Sequence, residues 1–224
     1  RGRFGGGRAV LLAIMLSCCA IANAQKKLPT VFEKENTAAK YSVKIPEQSF
    51  ESLPRIETLP DPFLFANGKR STKYKDWEKH RAEIIHYLQK YEIGEKPTVS
   101  REQIKAHMNG DTLIVDITVG SETLTLRAAI DYPSGEGPFP AVIGIGFGSG
   151  SLPKEIFEKR NIARIAFNFT QVTSHTQKRG QEPINRLYPD KTYIGSYAAW
   201  PWGVSRLLDG LEIVGKAARI DMKH

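Results

Sequence analysis

The chain reads as an α/β protein with a mixed, mostly parallel sheet whose N-terminal strands are antiparallel. Three observations predict this. Residues 103–108, 112–119 and 122–132 alternate apolar and polar side chains, the period of strands with one face buried. Residues 141–145 and 162–169 are largely apolar runs, the pattern of parallel strands covered on both faces. Two stretches, 73–91 and 196–218, place their apolar residues at helical spacing. A meander followed by strand, helix, strand, helix is the order of an α/β sheet with antiparallel strands at one side.

Taken in order, residues 1–24 read as an export signal. Arg1, Arg3 and Arg8 form a charged start, 9–22 is an apolar run, and Ala22-Asn23-Ala24 is an A-x-A cleavage site before Gln25. The run is 14 residues long, against the roughly 20 that a spanning helix needs. Cys18 follows Met15-Leu16-Ser17, a poor approach to a lipidated cysteine, so the sequence predicts secreted or periplasmic soluble export with no membrane association after processing. Both cysteines, Cys18 and Cys19, lie in the signal, which leaves the mature chain without a disulfide, a thiolate nucleophile or a cysteine metal site.

Residues 25–58 are polar and carry Pro29, Pro46 and Pro54, an extended lead-in or linker. Residues 59–224 form the predicted domain. Leu59-Pro60-Asp61-Pro62-Phe63 is too rigid for a helix. Ser71 or Thr72 is positioned to cap a helix over 73–91 bearing Trp77, Ile84, Ile85, Leu88 and Tyr91, with Gly94 as its stop. Asn109-Gly110-Asp111 and Gly120-Ser121 are hairpin turns. A short helix over 153–160 separates the two apolar strands. Trp202, Val204, Leu207, Leu208, Leu211 and Val214 set the buried stripe of the last helix, and Pro201 predicts a late start or a kink there.

The formal charge of +8 falls to +5 without residues 1–24, which hold three arginines and no acid. Basic and acidic residues interleave (Lys73, Lys75, Asp76, Glu78, Lys79), so no nucleic-acid footprint is expected.

The loop Gly146-Phe147-Gly148-Ser149-Gly150 leaves the C-terminal end of an apolar strand, where open α/β sheets bind ligands. Gly146, Phe147 and Gly148 are candidates for a loop that offers backbone N–H groups to a substrate oxygen, as the corresponding loop does in α/β hydrolases. A tight turn that merely needs glycine is the competing reading. The long segment 170–194 leaves the next strand on the same side. Asn168, His175, Gln177, Arg179 and Arg186 could reach a polar substrate from there, and a solvated insertion is the alternative. No G-x-S-x-G elbow occurs. Ser205, in Gly203-Val204-Ser205-Arg206-Leu207, belongs to a helix and is expected to pack rather than react. His80, His86, His107, His175 and His224 show no metal-ligand spacing.

Several segments in this order resemble the glucuronoyl esterase family: Leu59-Pro60-Asp61-Pro62-Phe63, Trp77-Glu78-Lys79-His80-Arg81-Ala82-Glu83-Ile84, Tyr91-Glu92-Ile93-Gly94, Gly137-Pro138-Phe139-Pro140-Ala141-Val142-Ile143-Gly144 and Tyr197-Ala198-Ala199-Trp200-Pro201-Trp202-Gly203-Val204-Ser205-Arg206. The resemblance runs from about residue 59 to 219 and departs from the family's pattern at Pro201. It implies an α/β-hydrolase-like three-layer sandwich. It also implies a monomeric, secreted esterase that needs no cofactor and cleaves glucuronoyl esters joining glucuronoxylan to lignin with a Ser–His–acid triad. The family's nucleophile strand lies just after the region matching 217–224. The expectation is therefore an N-terminal portion cut before that strand, inactive alone, with no triad residue among these 224. Two other readings stand beside it: an exported hydrolase of other esters such as acetyl xylan, and a non-catalytic carbohydrate-binding module.

Overall fold

A computed structural model describes residues 48–146, 152–174 and 178–223. The expected signal and most of the lead-in therefore lie outside the described residues, as do Phe147, Gly148, His175, Gln177 and His224. Among the described residues, β1 (Ile104–Asn109), β2 (Thr112–Val119), β3 (Glu122–Asp131), β4 (Ala141–Ile145) and β5 (Ala163–Phe167) form one sheet of order β1-β2-β3-β5-β4. Four helices accompany it: α1 (Tyr74–Leu88), α2 (Lys154–Lys159), α3 (Pro183–Leu187) and α4 (Ser196–Val214).

The meander is built by its own alternation. Leu113, Val115 and Ile117 of β2 share a face with Leu124, Leu126 and Ala128 of β3, and the antiparallel register sets Val115 opposite Leu126. That register continues into β5, where Ala128 pairs with Phe167 and Ile130 with Ile165, so the same face runs across the sheet. Helix α4 covers it. Gly203 and Gly210 let the helix approach closely: a Cβ at Gly203 would lie 2.4 Å from Phe167 Cζ, and one at Gly210 would lie 2.4 Å from Val115 Cγ2. Trp202, Leu207 and Leu211 complete the core between helix and sheet.

The opposite face of β5 meets α2, with the Arg164 guanidinium 6.0 Å from the Phe157 ring centroid. Phe167 facing α4 and Arg164 facing α2 place the two helices on opposite sides of one strand, which is the three-layer arrangement. Right-handed crossovers require the same result, because β4-to-β5 and the return through α4 step across the sheet in opposite directions.

Several expectations are corrected. Neither Ser71 nor Thr72 caps α1. Lys73 holds the N-cap position, and Ser71 Oγ instead accepts from the Lys73 N–H and donates to Asp76 Oδ2 at 2.6 Å. The apolar stripe of α1 is only half covered, since Trp77, Ile84 and Leu88 stay exposed while His80, Ala82 and Glu83 are buried. Glu83 Oε2 accepts from the Ala66 N–H at 3.0 Å, and the His80 ring packs on Phe65, so polar anchoring to the 61–71 loop replaces an apolar seat. Pro201 neither delays nor ends α4, which begins at Ser196; the proline sits exposed on the outer face, where local distortion costs no packing. The segment 170–194 is not a solvated insertion: α3 buries Ile184 and Leu187. Finally, β5 is buried as expected but β4 is not, and Ile145 is 47% exposed.

Tyr188, just after α3, is buried against Trp202 with the rings at 88° and centroids 6.1 Å apart. Its hydroxyl has no hydrogen-bond partner among the described residues. Burial pushes the phenol pKa above its ordinary value, only partly opposed by the Arg206 charge, the adjacent Trp202 indole N–H and the Lys191 charge. The folded state favours the neutral phenol. That contribution is fully present below the unfolded pKa, about 10, and is lost as the pH rises from there through the folded value. Tyr188→Phe should therefore lessen the fall in urea midpoint between neutral pH and pH about 11, without loss of stability at pH 7. An unchanged alkaline slope would contradict this assignment.

Candidate active site

The parallel strands β4 and β5 end at Ile145 and Phe167, and their C-terminal ends define the ligand side of the sheet. Gly146 follows β4 with φ +96, a conformation that suits glycine, and its N–H donates to Phe167 O at 2.8 Å. That N–H thus extends the β4–β5 ladder by one bond. Gly146 supplies the bend from which the loop departs, and its own donor is already engaged.

Asn168, the first residue after β5, caps a turn of 3-10 helix. Its Oδ1 accepts from Thr170 N at 3.1 Å and from Thr170 Oγ1 at 2.8 Å. Its side-chain oxygen is therefore committed to Thr170, through both the backbone N–H and the hydroxyl. Gln171 closes the same turn onto the sheet: Oε1 accepts from Arg127 N at 2.7 Å and Nε2 donates to Arg127 O at 2.9 Å, imitating one further residue of β5 against β3. Arg179 is likewise structural, donating to Tyr193 O and Glu92 O. Arg186 is exposed on α3. Ser205 lies inside α4, where its hydroxyl donates to Pro201 O and accepts from Lys96 Nζ.

Sequence reasoning missed the aromatic residues that gather at this end. Phe169 packs on Trp200 with centroids 4.8 Å apart, and Tyr197 meets Trp200 edge-on at 5.6 Å. Phe169 would lie 3.5 Å from a Cβ at Gly146. The i, i+3 spacing of Tyr197 and Trp200 in the first turn of α4 was the available signal. It also missed Glu182, whose buried carboxylate accepts from Ser174 N (2.7 Å), Ser174 Oγ (2.8 Å) and Lys178 N (3.1 Å), pinning both flanks of 175–177.

One further contact sets the growth direction of the sheet. Ile220 forms a parallel bridge with Phe139, through Phe139 N to Arg219 O at 2.8 Å and Asp221 N to Phe139 O at 2.7 Å. It lies just ahead of β4, on the side of β4 away from β5.

A family model described as glucuronyl esterase, fungi, matches residues 115–224. The 4-O-methyl-glucuronoyl methylesterase of Thermothelomyces thermophilus is 38% identical over 95% of this chain and 50% of that protein. Its counterpart in Neurospora crassa is 40% identical over 75% of this chain and 42% of that protein. The crystal structure of the Sporotrichum thermophile glucuronoyl esterase superposes with a TM-score of 0.60 at 42% identity, covering 73% of this chain and 43% of that one. The chain belongs to the glucuronoyl esterase family. It spans about half the length, or less, of these relatives. A serine-to-alanine mutant of the Sporotrichum thermophile enzyme has been solved in complex with methyl 4-O-methyl-beta-D-glucopyranuronate, at a TM-score of 0.62. Ile220 bridges Phe139, just ahead of β4, on the side away from β5.

Proposed function

We propose that these 224 residues are the N-terminal part of a secreted serine esterase that hydrolyses glucuronoyl esters linking glucuronoxylan to lignin. The observation that carries the reading is the side of β4 away from β5, along which, among the described residues, no named strand pairs. An apolar strand left at a sheet edge invites pairing, and the Phe139–Ile220 bridge starts a parallel strand there. A nucleophile at the C-terminal end of that strand would stand beside the loop that begins at Gly146. The Gly146 N–H is held by Phe167 and is not itself available as an oxyanion donor. One donor would be the N–H of the residue after the serine. The methyl glucuronate ester bound by the Sporotrichum thermophile enzyme supports the substrate class, and the composition of residues 1–24 supports export.

The test is hydrolysis of methyl 4-O-methyl-glucuronate and of acetyl xylan by the 224-residue chain and by the longer protein. The expected result is no turnover by the chain, and turnover of the glucuronate ester in preference to the acetyl ester by the longer form. Glucuronate hydrolysis by the 224 residues alone would overturn the assignment of the nucleophile to a later strand. A preference for acetyl esters would overturn the substrate.

A further inference from the structure

The 61–71 loop and the first turns of α1 enclose a second pocket, of about 240 Å³, with Phe63, Phe65, Tyr74, Trp77 and His80 as its rings. Phe63 and Phe65 already have partners: the Arg70 guanidinium lies 5.4 Å from the first ring and the His80 ring 5.0 Å from the second. Tyr74 is 68% exposed and makes no ring or hydrogen-bond contact among the described residues. Trp77, also exposed, meets the His80 ring edge-on at 5.9 Å. Their i, i+3 spacing sets the two side chains next to each other on one face of α1. We propose that this pocket is a non-catalytic subsite that stacks one neutral pyranose of a polysaccharide chain on Tyr74 and Trp77; that the chain is xylan rests on the reading above.

A pyranose carries C–H groups on its faces and hydroxyls around its rim. The C–H groups suit the negative face of an aromatic ring, and the hydroxyls need donors and acceptors beside it. Those groups are present and unengaged among the described residues: the Thr72 hydroxyl, the Tyr74 phenol and the Trp77 indole N–H. His80 adds one from inside. It is 7% exposed and lines the pocket, and its Nδ1 lies 3.4 Å from Glu83 Oε2, which leaves Nε2 without a partner among the described residues. Lys73 and Asp76 both stand in the lining, so their opposite charges offset and favour a neutral sugar over a uronate. The volume is smaller than the roughly 300 Å³ at which drug-sized pockets begin, room for a single ring. At about 1.5 Å per residue, the 15 residues of α1 place the pocket about 22 Å from the helix's other end. Just beyond that end, Ile93 O accepts from the Gly195 N–H at 2.9 Å, immediately before α4. A polysaccharide chain bridges such a span with a few sugars, which makes the pocket a hold on the polymer rather than on the ester.

The experiment titrates the 224-residue chain, its Tyr74→Ala variant and the longer protein with xylotetraose, glucuronic acid and benzyl alcohol, following amide shifts by NMR. Tyr74 is exposed and without contacts, so the variant should fold. Xylotetraose is expected to shift the amides of 72–77 in both forms of the protein, and Tyr74→Ala should weaken its binding roughly fivefold, the worth of one stacked ring. No shift at 72–77, or a shift that Tyr74→Ala leaves unchanged, overturns the subsite. Binding by the 224 residues but not by the longer protein also overturns it, since the pocket would then be covered in the whole molecule. Glucuronic acid or benzyl alcohol binding there as well as xylotetraose overturns the neutral sugar as the occupant. Contacts from Tyr74 and Trp77 to residues 25–47, or concentration-dependent shifts at 72–77 without sugar, would seat the lead-in or a second copy of the chain there and overturn the proposal too. Ester hydrolysis by the longer protein is read separately: its loss with xylotetraose binding intact keeps the subsite and removes the esterase reading.

Discussion

Trp202→Ala is expected to lower the unfolding free energy by about 3–5 kcal/mol, the usual cost of deleting a buried Trp or Phe side chain. Trp202 is fully buried on the inner face of α4, beside Gly203, whose missing Cβ allows the helix to lie against Phe167. The neighbouring residues are fixed by the sheet register and by Tyr188, so the space left behind has little means of closing. The Arg206 guanidinium, 5.6 Å from the Trp202 ring and bonded to Asp209, would also lose its aromatic support. Urea denaturation read by circular dichroism checks this. A loss below about 1 kcal/mol would mean that α4 can slide over the sheet, contrary to the close approach at Gly203 and Gly210.

The second large effect is expected at Glu182. Its carboxylate accepts three hydrogen bonds from Ser174 and Lys178, and its own N–H donates to Asn185 Oδ1, a reciprocal cap on α3. Glu182→Ala removes every acceptor at once and leaves those donors without a partner, at a cost of about 2–3 kcal/mol. Glu182→Gln keeps the shape and one acceptor oxygen, so its loss should be roughly half as large. Limited trypsin digestion reads the local consequence, because Lys178 and Arg179 lie in the segment being held. Cleavage there should rise by about tenfold or more in Glu182→Ala, in keeping with the free-energy loss. Equal cleavage in wild type and variant would show that Ser174 and Lys178 are held by something other than this carboxylate.

The meander was legible because strand alternation and hairpin turns are local. The alternation of 112–119 and the turn at Gly120-Ser121 together set which residues of β2 and β3 share the core face. The core stripe of α4 was legible for the same reason. What escaped the sequence depends on distant partners. The apolar run 141–145 promises a strand buried on both faces, yet a single strand cannot announce which neighbours it has, and among the described residues β4 is paired with β5 only. The stripe on α1 reads as an amphipathic surface helix, but the sequence does not show that it is anchored on the 61–71 loop through Glu83 and His80. At the candidate site, glycine content located the loop, but the engagement of the Gly146 N–H and of the Asn168 side chain follows from the β4–β5 pairing and the turn after it. The cluster of Phe169, Tyr197 and Trp200 joins residues from the end of β5 and the start of α4, and only the return of α4 over β5 brings them together.

A nucleophile strand is expected to continue from Ile220 along the side of β4 on which, among the described residues, no named strand pairs. Reading the coding sequence past the codon for His224 tests it most directly. The account predicts a short apolar strand and then a glycine-flanked serine within about 15 residues, with an acid and a histidine further on. A stop codon at that point, or a continuation without such a serine, would contradict it.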